Sequence, residues 1–340
     1  MAKVVTLGEI MLRLSTPGNS RFVQSKSFDV CYGGGEANVA VSLAHYGHNA
    51  YFVSKLPNND IGESAIRTLN AEGVNTDYVA RGGERVGIYY LETGASLRAS
   101  KVIYDRAHSS ISESKITDYQ LEKALKGATL FHFSGITPAL SESCAKLTLK
   151  ACKIAKKLGV LVSCDLNYRK KLWTKEEARK VMVPLMEYVD ICIGNEEDAD
   201  ATLGYTPDSD VVGGQTDASG YYDIFKRLHK DFNFKIVAST LRESFSATHN
   251  GWKALMYDGE KFYESKRYDI NPIIDRVGAG DSFSGGLIHG LLSFEDKQKA
   301  LEFAVAASAL KHTIPGDFNQ ASEDDVLKLM AGDGSGRVVR

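Results

Sequence analysis

From residue 128 onward the chain alternates two local patterns, and this alternation limits the folds open to it. Residues 130–133, 160–164, 191–193 and 236–239 are short apolar runs of strand length. Residues 141–158, 176–188, 196–203 and 220–231 carry helical periodicity between and after them. Strands separated by helices predict a mostly parallel sheet with helices on both faces. In such sheets ligands sit at the carboxyl ends of the strands. The polar residues that follow these runs therefore become candidates: Ser134 and Gly135, Asp165 to Arg169, Gly194 to Glu197, and Thr240 to Arg242.

The first hundred residues have a different rhythm. Residues 4–9 and 51–54 predict buried strands, and 62–72 an amphipathic helix. Runs at 11–14, 28–30, 86–92 and 100–104 include adjacent strands with no helix between them. They predict a small four-stranded antiparallel sheet serving as a lid. The chain closes with short strands (246–248, 254–257, 261–264) and helices at 284–292, 297–311 and 324–330. We expect one α/β unit over 1–331, with lid strands drawn from about 11–32 and 86–107, and a flexible tail at 332–340.

A net charge of −2 leaves no basic footprint for nucleic acid. No apolar run approaches the roughly 18 residues of a membrane span, and the first residues lack a signal-peptide core. Five cysteines without a C-x-x-C pair predict free thiols and a reducing, cytoplasmic setting.

Two glycine-rich stretches carry the chemistry. Gly33-Gly34-Gly35-Glu36-Ala37-Asn38 ends a strand and opens a helix, so backbone N–H groups at 34–36 face a polar ligand. Asp275-Arg276-Val277-Gly278-Ala279-Gly280-Asp281 leads into a second helix. Its small residues let the backbone approach a ligand, and a helix start favours an anion. Asp281 at that start suggests a base beside a phosphate.

Together these stretches resemble the two signatures of the ribokinase (PfkB-type) carbohydrate kinases, and the order of elements between them is similar over nearly the whole chain. The resemblance implies a Rossmann-like core with a β-sheet lid. Within the family, Ile103 to Ala107, Asp165 to Arg169 and Asp275-Arg276-Val277 resemble 2-keto-3-deoxygluconate kinases. It implies Asp281 as the base that takes the proton of a terminal hydroxyl, and Gly278, Ala279 and Gly280 as an anion hole. It also implies a sugar acid against Gly34, Tyr89, Tyr104, Arg106, Asn167, Arg169, Asp281 and Asp317. ATP would meet Asn167, Asn195, Thr240, Arg242, Ser244, Gly278 and Gly280, within a loop from Thr240 to Phe245. Magnesium is expected through ATP phosphates and water rather than protein ligands. Potassium activation stays open, and a homo-oligomer, a dimer or higher, is expected through the lid.

Substrate class turns on arginine. A guanidinium binds a carboxylate in bidentate fashion, so Arg106 from the lid and Arg169 from the core predict a clamp for a sugar acid. A fructokinase or 5-keto-2-deoxygluconate kinase is the alternative. A dinucleotide-dependent oxidoreductase would need G-x-G-x-x-G after the first strand, where Gly8-Glu9-Ile10-Met11 stands instead. The intact second signature speaks against a sugar-binding regulator without activity. The sequence departs from the wider family at Arg276 and Val277, where Thr or Ser is usual, and at Pro57. Asn195-Glu196-Glu197-Asp198 replaces N-x-x-E, so Glu196, Glu197 and Asp198 all remain candidates for the metal's water shell.

Overall fold

The computed structural model describes residues 1–206 and 219–332. In chain order its strands are β1 (Lys3–Leu7), β2 (Met11–Ser15), β3 (Asp29–Gly33), β4 (Asn49–Leu56), β5 (Val79–Arg81), β6 (Ile88–Glu92) and β7 (Lys101–Asp105). They continue with β8 (Leu130–Ser134), β9 (Leu161–Asp165), β10 (Ile191–Ile193), β11 (Ile236–Ser246), β12 (His249–Tyr257), β13 (Phe262–Glu264) and β14 (Tyr268–Ile270).

The large sheet has the order β13-β12-β11-β10-β9-β8-β1-β4-β5, with β14 beside β12. It is parallel from β11 to β5 and antiparallel only at the β11–β12–β13 edge. Central strands of such a sheet are covered on both faces and so read as continuous apolar runs. Accordingly, every residue of β8 and β10 is buried. The predicted mostly parallel sheet with helices is present.

Two expectations need correction. The small sheet β3-β2-β6-β7 is mixed, because β2 pairs β6 in parallel while its other pairs are antiparallel. A parallel pair needs a long crossover. Residues 16–87 supply one, passing through β3 of the same sheet and then β4 and β5 of the large sheet before returning. The stretch 240–245 is not a loop. It continues β11, which pairs with β12 from Val237↔Tyr257 to Ser246↔His249. The short elements β5, Leu121–Leu125 and Ile136–Ala139 have too few residues to show a period, and sequence patterning misses them. The predicted tail falls mainly at 333–340, outside the described residues. No described helix is long and apolar enough to cross a membrane.

Helix Ala279–Ser293 is the central packing element on one face of the large sheet. A Cβ at Gly285 would lie 2.8 Å from the Ser42 Cβ, one at Gly286 2.9 Å from the Ala304 Cα, and one at Gly290 2.7 Å from the Ala300 Cα. Glycine inside a helix costs roughly 1 kcal/mol relative to alanine. Here it lets helices Gly35–His45 and Lys297–Lys311 approach to backbone contact, which brings the starts of helices Gly35–His45 and Ala279–Ser293 together at one cavity.

Candidate active site

That cavity, of about 410 Å³, lies at the carboxyl ends of β9 and β10 and beside the middle of β11, under the inner face of the small sheet. One side is the start of helix Ala279–Ser293, where unpaired N–H groups and the helix dipole suit an anion. Gly278 caps this helix with φ 83, and a Cβ there would meet the Asp317 carbonyl at 2.1 Å. No other residue type fits that left-handed, crowded position without strain. The N–H groups of Gly278, Gly280 and Asp281 have no acceptor among the described residues. That of Ala279 reaches the Arg276 carbonyl at 3.3 Å, so Ala279 is less free to bind a ligand than its neighbours.

Asp281 stands beside these amides. Burial raises its carboxyl to about 6, against a hydrogen bond from Asn38 and the nearby Arg169 charge. The Asn38 Nδ2 donates to Asp281 Oδ2 at 2.6 Å, and the Asn38 Oδ1 accepts the Gly34 N–H at 3.2 Å. Gly34 has no room for a side chain, since its Cβ would lie 1.9 Å from the Glu9 carbonyl.

The lid supplies a cross-strand row. Register aligns Arg13, Tyr89 and Tyr104 on β2, β6 and β7. The Tyr89 hydroxyl donates to both Asp317 carboxylate oxygens, at 2.6 and 2.7 Å. Arg13 donates to Asp317 at 2.8 Å and Asp275 at 2.5 Å. Burial favours a protonated Asp317, and Arg13 opposes it. Buried charges demand such partners. Sequence patterning misses Arg13, and the part of Asp275 as its partner, because only the folded chain brings β2 against the segment before helix Ala279–Ser293.

Tyr104, Arg106 and Arg169 all line the cavity. Arg106, however, directs Nε (2.8 Å) and Nη2 at one Glu9 oxygen, and Glu9 is only 3% exposed. One nitrogen of Arg106 remains for a ligand. Arg169 is exposed and makes a single long bond to the Tyr168 carbonyl, 3.3 Å.

On the opposite side Asn167, Asn195, Thr240 and Arg242 line the cavity, whereas Ser244 does not. The continuing β11 carries Ser244 beyond it, exposed. Asn167 holds φ 37, left-handed backbone that asparagine tolerates better than most residues. Asn195 caps helix Glu196–Leu203, its Oδ1 accepting the Asp198 N–H at 2.8 Å. Of the three acids, Asp198 lines the cavity, Glu196 takes the Tyr221 hydroxyl, and Glu197 is exposed. Ser134 turns away from the cavity, donating to the buried Glu36 at 2.7 Å.

Asp165, a candidate from its place at the end of β9, also lines the cavity, as do Arg276, Asn250 and Trp252, which sequence reasoning did not single out as ligand contacts. Asn250 is 1% exposed with neither amide atom paired among the described residues, and the Trp252 Nε1 is likewise unpaired. Buried polar atoms without partners fit a polar ligand, as do the free amides. No group of three or more His, Cys, Asp or Glu among the described residues is arranged to hold a metal.

A 2-dehydro-3-deoxygalactonokinase of Haloferax volcanii is 32% identical over 335 residues, covering 98% of each chain. The crystal structure of a 2-dehydro-3-deoxygluconokinase from Thermotoga maritima is 55% identical, with a TM-score of 0.94 over 98% of this chain and 100% of that one. That of a PfkB family carbohydrate kinase from Listeria grayi is 37% identical, with a TM-score of 0.90 over 97% and 99%. The profile of the pfkB family of carbohydrate kinases matches residues 1–323. With its two glycine motifs meeting at one cavity, this chain belongs to the pfkB family of carbohydrate kinases.

Proposed function

We propose that the protein phosphorylates 2-keto-3-deoxygluconate at its terminal hydroxyl, using ATP. The observation that carries this reading is Asp281 beside the free amides of Gly278 and Gly280, in a cavity that also holds the Arg169 guanidinium. The names borne by the Haloferax and Thermotoga relatives support the substrate class.

In this mechanism the Asp281 carboxylate takes the proton of the C6 hydroxyl. The freed oxygen forms a bond to the γ-phosphorus, and the bond to the ADP oxygen breaks. Asp281 then releases its proton to solvent. The amides of Gly278 and Gly280, with the partial positive charge of the helix start, stabilise the transferring phosphoryl group. Asn167, Asn195, Thr240 and Arg242 hold the nucleotide, and Asp198 and Asp165 are the carboxyl groups of the cavity that would accept hydrogen bonds from the water around a magnesium ion brought in with ATP. Magnesium, when bound with ATP, neutralises charge on the phosphate oxygens. Gly34, Tyr104, Arg169 and the remaining Arg106 nitrogen hold the sugar acid, while Tyr89 and Asp317 brace one another at its rim.

ADP release measured across 2-keto-3-deoxygluconate, its galacto epimer, 5-keto-2-deoxygluconate and fructose tests this reading. The keto-deoxy acids are expected to give the highest kcat/KM. A preference for fructose would overturn the substrate assignment, and no ADP release with any sugar would overturn the reaction.

A further inference from the structure

Lys311, the last residue of helix Lys297–Lys311, is 0% exposed. Its ammonium donates to the Ile314 carbonyl at 3.0 Å and the Asp275 carbonyl at 3.4 Å. The first contact is the local one that a lysine near a helix C-terminus commonly makes. The second is not local, and it reaches the residue from which the anion-binding loop starts.

Neither acceptor is a carboxylate; burial disfavours the charged ammonium and shifts its pKa down, while the nearby Asp275 and Asp317 partly offset this. A buried cation is costly unless something else requires it. The surroundings indicate what does. The segments 274–275 and 312–316 are strapped together, with Ile274 N–H on the His312 carbonyl at 2.8 Å and Gly316 N–H on the Asp275 carboxylate at 3.1 Å. The lysine stem lies under the helix cap, its Cε 3.4 Å from where a Gly278 Cβ would stand. The stem thus packs against the residue that caps the helix, and the ammonium beyond it holds the start of the loop leading to that cap. Main-chain carbonyls converging on one cation are also how proteins replace the water around potassium.

We propose that Lys311 is a positioning residue that acts as a built-in monovalent cation. Its ammonium ties the Asp275 and Ile314 carbonyls together, fixes the anion-binding loop, and makes phosphoryl transfer independent of added potassium. The proposal rests on the kinase reading above.

The test measures ADP release and thermal unfolding for wild type, Lys311→Ala and Lys311→Met, in tetramethylammonium buffer with or without potassium or ammonium chloride. Wild-type kcat is expected to be the same, within about twofold, in all buffers. Folded Lys311→Ala is expected to lose roughly tenfold or more in kcat and to regain most of it with potassium or ammonium, not with tetramethylammonium. Lys311→Met, whose side chain fills the space, is expected to lose activity without rescue. Potassium stimulation of wild type, full activity in Lys311→Ala, or a folded Lys311→Ala that no cation rescues would each overturn the proposal. If neither variant folds, the wild-type cation response decides. If wild type phosphorylates no sugar, the kinase reading has failed, and ATP binding by calorimetry decides instead: potassium-dependent affinity in wild type overturns the cation role.

Discussion

The Asn38 amide donates to the Asp281 carboxylate at 2.6 Å across 243 positions of sequence. This bond joins the two glycine motifs into one site. The other end of Asn38 accepts the Gly34 N–H, so the same side chain holds the backbone of the first motif and the Asp281 carboxylate.

Removing this bond should alter the base without removing it. The Asn38 bond favours the ionised carboxylate and works against burial. In wild type, kcat should rise with pH through about 6 as Asp281 ionises. Asn38→Ala should lower kcat by roughly tenfold and move that limb to higher pH. A pH–rate profile with an unchanged limb would remove Asn38 as the group that tunes the base.

Asp281→Asn should lower kcat by roughly 10²-fold or more, as expected for loss of a positioned base. Its stability should change in the opposite direction. The folded carboxyl is held at about 6, above its ordinary value of 3.8, so ionisation is harder in the folded state. The folded protein therefore bears this cost fully above pH 6 and loses it as pH falls toward 3.8. Asparagine keeps the acceptor for Asn38 and carries no charge. Thermal unfolding should show Asp281→Asn more stable than wild type at pH 8, with the gap closing by pH 4. A constant gap would mean that charge burial is not its source.

The sequence alone discloses much of this site, because Asp281, Gly278, Gly280 and Gly34 lie in short motifs whose residue types are dictated by local backbone and helix-end chemistry. Arg106 shows where this stops. Its place on the lid is legible, but Glu9 is not recognisable as its partner, since the pair forms only when β7 folds over the turn after β1. The Arg13–Asp275–Asp317–Tyr89 network is hidden for the same reason, as long-range pairing leaves no periodic trace. The 240–245 stretch misleads through its polar residues, which suit an edge hairpin as well as a loop.

Arg106 and Arg169 should separate in mutagenesis. Arg169 is exposed and weakly bonded, so Arg169→Ala should raise KM for the keto-deoxy acid by roughly tenfold or more and leave KM for fructose and the melting temperature nearly unchanged. Arg106→Ala strips the buried Glu9 of its ion partner and should cost about 3 kcal/mol of stability. Its KM effect would then come with a lowered melting temperature. Equal KM effects of Arg169→Ala on acid and neutral sugars would remove carboxylate recognition from this residue.

The lid presents a second row to solvent. Val30, Leu14, Tyr90 and Ile103 align across β3, β2, β6 and β7. They alternate with the inward row of Arg13, Tyr89 and Tyr104 because successive side chains on a strand point to opposite faces. Val30 is 63% exposed and Ile103 53%. An apolar row on an open sheet invites a partner, and a second copy of the same lid offers a matching surface. Light scattering after size-exclusion chromatography should find wild type as a dimer or larger. The double variant Val30→Lys, Ile103→Lys should shift toward monomer and stay folded, because the charges replace side chains that a single chain leaves in water. A wild type that stays monomeric at high micromolar concentration, or a lysine variant that keeps the larger size, would remove the lid as the contact.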